Sequence, residues 1–185
     1  MRGGYIMNEN EKILGDERRQ LIIDTLQTSD KPITGRILGE MTNVSRQVIV
    51  GDITLLKARN EPIVATSQGY IYMHVQAGPP RIEKTIVCKH TPDQTMEELN
   101  ILVDNGVTVK DVKIEHPVYG DLSASIMVSN RNEVKEFIKR IKEADAIYLS
   151  KLTEGGIHLH TVVADDKAHI KNAEEALRKA DILVE

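Results

Sequence analysis

Near the middle of the chain, in VQAGPPR (75–81), Gly78, Pro79 and Pro80 stand in a row. Proline fixes φ, lacks an amide proton and drives the residue before it out of the α region, so this run continues neither a helix nor a central strand. The chain is therefore expected to fold as two units, residues 16–74 before a linker at 75–81 and residues 82–185 after it. Residues 1–15, MRGGYIMNENEKILG, are polar and irregular and are expected to be a flexible N-terminus. Charge divides at the same seam. Residues 1–74 carry 9 Lys+Arg against 9 Asp+Glu, which leaves 15 of the chain's 24 basic and 19 of its 28 acidic residues beyond them. Only the second half repels a polyanion overall.

Composition excludes several classes. The single cysteine, Cys88, permits no internal disulfide and fits a reducing compartment. No apolar run approaches the roughly 20 residues of a membrane span, and no signal peptide opens the chain, so a cytoplasmic protein with no membrane partner is expected. Aromatic residues make up 3% of the chain, with no Trp and one Phe, which argues against a protein that stacks single-stranded bases.

The first half reads as three helices and a hairpin. Asp16 is a candidate N-cap for a helix carrying Ile22 and Leu26 at helical spacing, and Thr34 caps a short second helix. Gly39 allows a close approach of another helix, and Asn43 tolerates the left-handed conformation of a tight turn. A third helix starts at Ser45, with Ile49, Ile53 and Leu56 as its buried stripe and Arg46, Gln47, Val50, Thr54 and Lys57 outside. Strands at Ile63–Thr66 and Tyr70–Met73 then flank a Ser-Gln-Gly turn. This is the layout of a winged helix-turn-helix. Arg36, Ser45, Arg46, Gln47 and Lys57 are the candidate DNA-binding residues. The helix amides and the Ser45 hydroxyl suit a phosphate, and Arg46 and Gln47 carry the donors that guanine and adenine edges accept. A helical unit that docks another protein has the same layout.

The second half reads as βαββαβ. A strand ends at His90, and Thr91, Pro92 and Gln94 open a helix with Thr91 as N-cap, closed by Gly106. Two strands joined at Tyr119-Gly120-Asp121 follow, then an amphipathic helix with Val134, Ile138 and Ile141 inward. The strand GGIHLHTVVA and a helix capped by Asp165 or Asp166 complete the set. The expected class is α+β: an N-terminal winged helix-turn-helix and a C-terminal ferredoxin-like sandwich with helices on one face of an antiparallel sheet.

His158 and His160 alternate along their strand and share one face. A half-buried strand with a polar face would carry them as readily as a site would. His90 ends the first strand, and the following helix carries Glu97 and Glu98. With Leu99, Leu102 and Val103 inward, Glu98 leans toward the sheet while Glu97 points to water. Three imidazoles and one carboxylate, His90, His158, His160 and Glu98, suit a divalent transition metal such as zinc or nickel.

NVSRQVIVGDITLLKARNEPIVATSQGYIYM resembles the biotin-repressor-like winged helix of bacterial regulators, and most nearly that of the niacin-responsive (NiaR-type) repressors. VTVKDVKIEHPVYGDL and AIYLSKLTEGGIHLHT resemble the three-histidine (3H) ligand-sensing domain of those repressors. The resemblance runs from about Gly15 to the C-terminus. It implies a dimeric transcriptional repressor that binds operator DNA, with nicotinic acid as co-repressor, at genes for NAD precursor synthesis or niacin uptake. It also implies a metal held by His90, Glu98, His158 and His160. His116, in EHPVYG, is a further candidate at the ligand or equally a histidine fixed by the Pro117 turn. Tyr119 and Tyr148 could stack on a pyridine ring or simply pack. His74 and His169 receive no role. No catalytic residue stands out, so no enzyme activity is expected; the alternative is a metal-dependent enzyme acting on a nicotinamide-type substrate, regulated by its DNA-binding unit.

Overall fold

A computed structural model describes residues 13–73 and 81–184. The expectations of a flexible N-terminus and of a linker fall, for residues 1–12 and 74–80, outside the described residues. The chain divides into two compact units. In the first, helices α1 (Gly15–Gln27), α2 (Gly35–Thr42) and α3 (Arg46–Ala58) precede strands β1 (Ile63–Thr66) and β2 (Gly69–Tyr72). Ile22, Leu26, Leu38, Ile49, Ile53, Leu56 and Ile63 form its core, as the helical spacing predicts. Ile33 adds a third rung to the hairpin: its N–H donates to Tyr70 O at 2.9 Å and its carbonyl accepts from Tyr70 N at 2.8 Å.

Local chemistry sets the helix ends. Thr34 Oγ1 accepts from Ile37 N, and Ser45 Oγ from Val48 N. Between these caps Asn43 takes φ 52°, the left-handed residue that ends α2. A Cβ on Gly39 would stand 2.7 Å from the carbonyl oxygen of Val44, so the tight α2–α3 turn depends on this glycine. Asp16 does not cap α1. Leu14 occupies that position without a side-chain bond, and Asp16 instead pairs with Arg19 at 2.6 Å. The buried stripe of α3 also includes a charge that hydrophobic periodicity cannot show. Asp52 is 3% exposed; it accepts from Arg18 Nε at 2.6 Å and Arg19 Nη1 at 2.9 Å, which ties α3 to α1.

In the second unit, strands β3 (Ile82–Lys89), β4 (Thr108–His116), β5 (Gly120–Val128) and β6 (Ile157–Ala164) alternate with helices α4 (Thr95–Asp104), α5 (Arg131–Glu143) and α6 (Lys167–Lys179) in the expected βαββαβ order. The sheet order is β3-β6-β4-β5, antiparallel throughout. Strands β3 and β4 thus run parallel with β6 between them, and β5 and β6 flank β4, giving two interlocked split βαβ units. A ferredoxin-like sheet has its first and third strands inside; here the second and fourth are inside, so β3 is an edge and β6 is central. Lys89 N donates to Ile182 O, and Val184 N to Val87 O, so the C-terminal residues pair with that edge. Leu99, Leu102, Val134, Ile138, Ile170 and Leu177 pack with Ile86, Cys88, Val109, Val128 and Val162 in one core, with all three helices on one face. Asp166 caps α6 through Ala168 N. Thr91 precedes a 3₁₀ turn, Pro92–Gln94, and makes no side-chain capping bond. Gly120 and Asp121 belong to β5 rather than to the turn. Among the described residues no helix is long and apolar enough to cross a membrane.

Two effects oppose each other in Gly39→Ala. Alanine gains up to about 1 kcal/mol in helix propensity, while forcing atoms into a filled contact costs roughly 1–3 kcal/mol. The 2.7 Å approach to a backbone oxygen favours the second. A lower urea midpoint is expected, and a raised one would show that the turn adjusts freely.

Candidate functional site

The site lies where the apolar layer between sheet and helices becomes polar. His158 and His160 share the face of Val162 and Ala164, and they stand opposite Cys88 and Ile86 of β3. His90 follows two residues beyond Cys88, past the end of β3. From the other side α4 lowers Glu98, 0% exposed, beside Leu99 and Leu102, while Glu97 is exposed. The structure therefore brings His90, Glu98, His158 and His160 together. Glu98 is at the centre: its Oε2 lies 2.8 Å from His90 Nε2 and 3.2 Å from His160 Nε2, and its Oε1 lies 3.1 Å from His158 Nε2.

The other ring nitrogens explain this convergence. His90 Nδ1 lies 2.6 Å from Thr91 O, His158 Nδ1 2.8 Å from Gly156 O, and His160 Nδ1 2.7 Å from Asp111 O. A carbonyl oxygen only accepts, so each Nδ1 carries the proton and donates it to the main chain. Three Nε2 lone pairs are thereby aimed at one carboxylate. Lone pairs facing a carboxylate repel unless positive charge lies among them, either protons on the rings or a metal ion. His160 Nε2 has no hydrogen-bond partner among the described residues. Donor atoms of His90, Glu98 and His158 lie within 4.8 Å of one another and can hold a metal ion. The nitrogen-rich donor set with one oxygen fits zinc or nickel.

Gly156 makes the close approach possible. At φ +75°, its missing Cβ would lie 2.1 Å from His90 O, so the turn before β6 runs against the main chain of His90. The Gly155-Gly156 pair in the sequence was the available signal for this contact. The carbonyls of Thr91 and Asp111 left none, because main-chain acceptors are supplied by any residue.

Burial opposes ionisation of Glu98, but the charge of His160 and hydrogen bonds from His158 and His90 outweigh it and hold the carboxyl well below its usual range. Burial likewise disfavours charged His90 and His160; their contacts with Glu98 prevail and raise both above the ordinary imidazole value. Burial and then the negative charge of Glu98 push the Cys88 thiol up, so it stays protonated.

The remaining candidates lie elsewhere. Ser45, Arg46, Gln47 and Lys57 are exposed on or at the start of α3. Arg36 is exposed on α2 but paired with Glu40 at 2.6 Å, an opposing charge that weakens it as a phosphate ligand. Arg36, Ser45 and Arg46 share a shallow hollow of about 440 Å³ at the α2–α3 turn. The Ser45 hydroxyl oxygen is used in capping α3, which leaves its O–H to donate outward. His116 closes the β4–β5 turn, its Nδ1 accepting from Val118 N and Tyr119 N at 3.2 Å. Tyr119 is 74% exposed, with its ring 4.9 Å from that of His116. Tyr148 packs half-buried against the core of the second unit. Among the described residues no hydrogen bond joins His116 or Tyr119 to the four-residue cluster.

A helix-turn-helix unit thus shares one chain with an α+β unit that can hold a metal. Residues 18–71 match the HTH domain family and residues 83–185 the 3H domain family. The chain is 54% identical over 179 residues, 96% of its length and 99% of the relative's, to the transcription repressor NadR of Bacillus subtilis (strain 168). It is 37% identical over 174 residues, 94% of its length and 97% of the relative's, to the probable transcription repressor NiaR of Thermotoga maritima. The chain belongs to the NiaR-type family of transcription repressors.

The charge balance of the cluster has a pH signature in metal-free protein. Glu98, depressed, adds stability that is present above its ordinary value of 4.5 and is lost as pH falls through its folded value. His90 and His160, raised, add stability that is full below 6.5 and is lost as pH rises through their folded values. With chelator present, the stability difference between wild type and Glu98→Gln, followed by urea unfolding, is expected to be largest between 4.5 and 6.5 and to shrink above. A difference that grows steadily with pH would contradict the protonated-imidazole account.

Proposed function

We propose that this protein is a niacin-responsive transcriptional repressor. It binds operator DNA as a homodimer, with nicotinic acid as co-repressor sensed at the second unit, and controls genes for NAD precursor synthesis or niacin uptake. The observation that carries the sensing half is the aim of three Nε2 lone pairs at Glu98, in a chain that also has a helix-turn-helix unit. The names of the relatives support repression, and the likeness to niacin-responsive repressors supports the effector.

His90, Glu98, His158 and His160 would hold a divalent transition metal, zinc or nickel, which when bound offers a coordination position to a carboxylate or a pyridine nitrogen. The chain's own contribution is orientation and dryness. Thr91, Gly156 and Asp111 fix the ring tautomers, and the nearly complete burial of the four side chains excludes competing water.

On the DNA side, Ser45 and the first amides of α3 meet a phosphate, while Arg46 and Gln47 reach base edges and Arg36 and Lys57 support the backbone. In a two-fold dimer the recognition helices must match half-sites about 34–36 Å apart, or a multiple of that distance. Nicotinic acid then acts by binding the DNA-compatible arrangement more tightly than the other.

Two variants separate the halves. Arg46→Ala is expected to weaken operator binding by about 5- to 150-fold, equivalent to roughly 1–3 kcal/mol for one lost base contact, with nicotinic acid binding unchanged. His158→Ala is expected to keep weak DNA binding and lose its dependence on nicotinic acid. Fluorescence anisotropy of a labelled operator, with and without nicotinic acid, measures both; calorimetric titration before and after chelation and re-addition of zinc or nickel measures the effector. A normal response in His158→Ala would mean that the cluster is not the sensor.

A further inference from the structure

The main-chain partner of His160 has an origin of its own. Between Val109 and Asp111 the register of β4 against β6 slips: Val109 faces Val162, yet Asp111 faces Thr161. Two residues of β4, Lys110 and Asp111, thus oppose one step of β6, a β-bulge of the kind that re-aims groups beside sites. In an unbroken antiparallel rung the Thr161 N–H would go to the carbonyl of its partner. Here it donates to the side chain of that partner, Asp111 Oδ1, at 3.0 Å. The Asp111 carbonyl oxygen accepts from His160 Nδ1 at 2.7 Å. The two acceptors of one residue have exchanged tasks. A carboxylate on a single methylene is short enough to replace its own carbonyl in this way. Lys113 secures the exchange from the other face of the sheet: its Nζ donates to Thr161 Oγ1 at 2.8 Å and lies 3.5 Å from Asp111 Oδ2.

We propose that Asp111 is a positioning residue for His160: by taking the Thr161 amide on its side chain at the bulge, it leaves its carbonyl to hold His160 Nδ1–H and so aims Nε2 at Glu98. The importance of this for metal binding rests on the metal-holding role proposed above. The orienting partner of a metal-bound histidine typically changes metal affinity about 10- to 100-fold. Without the Asp111 carboxylate, the Thr161 amide reclaims the carbonyl and the His160 ring loses its tautomeric lock.

The test uses the full chain, zinc as the metal and two readouts. Calorimetry gives zinc affinity, and long-range ¹H–¹⁵N spectra of the imidazoles report whether His160 Nδ1–H is hydrogen-bonded. Asp111→Ala is expected to weaken zinc about 10- to 100-fold and to remove the protected Nδ1–H signal of His160, while those of His90 and His158 persist. Asp111→Asn keeps the acceptor and is expected to retain both. Asp111→Glu carries the charge but sets it one methylene too far, and it is expected to behave like the alanine variant, which it replaces if that variant does not fold. An unchanged His160 signal in Asp111→Ala, or in Asp111→Glu where it stands in, overturns the proposal. So does a loss in Asp111→Asn as large as in the others, which would point to charge rather than to the exchanged acceptor. If wild type binds no zinc, the metal-holding role fails alone, and the His160 signal in zinc-free protein still decides the exchange.

Discussion

Glu98 is a carboxylate with no exposed surface, and removing such a charge from water costs several kcal/mol unless partners replace the water. All three partners are imidazoles, and each comes from a different position in the fold: the end of β3, and two alternate residues of β6. For those rings to surround one side chain, β6 must lie next to β3, and α4 must cross over the same end of the sheet. The Gly155-Gly156 turn must also bring the start of β6 against the main chain of His90. The central place of β6 is therefore tied to the site. In a sheet with the first strand inside and the last at an edge, the histidines of β6 would still neighbour β3 but would not meet β4, whose bulge holds His160.

The first unit solves a different problem. Its three short helices leave a small core, and a buried acid lies within it. Asp52, tied to Arg18 and Arg19, joins the inward side of α3 to α1, opposite the outward face with Arg46, Gln47 and Lys57. Arg36 shows the reverse relation. Its partner Glu40 is one helical turn away on the same exposed face, and such an exposed pair contributes little to stability while reducing the positive potential near the α2–α3 turn.

Much of the fold could be read in the residues because local rules and burial agree. The cap at Thr34, the start of α3 at Ser45, the left-handed Asn43 and the stripe of Ile49, Ile53 and Leu56 all follow from short-range sterics and helical spacing. The cluster at Glu98 was legible for a related reason: alternation places His158 and His160 on one face, and the 3.6-residue period turns Glu98 inward and Glu97 outward. Two features were not legible. Asp16 looked like a cap, yet α1 begins one residue before it, a boundary shift that propensity does not resolve. Asp52 breaks the apolar rule with partners 34 and 33 residues away. His116 stood open between a place at the ligand and a histidine fixed by the Pro117 turn, and its ring accepts two amides of that turn.

What the sequence determined by itself is the inventory and its local geometry: where elements start and stop, which faces are apolar, that His158 and His160 share one face of their strand, and that Glu98 turns inward on its helix. Periodicity and capping carry that information because they depend on neighbours within one or two turns. What only the tertiary structure decided is the sheet order, the bulge at Asp111, the main-chain partners of the three Nδ1 atoms and the pairing of Asp52. These depend on contacts between residues far apart in the chain, and a backbone carbonyl is the same acceptor whichever residue presents it. The sequence names the side chains; the tertiary fold sets their direction.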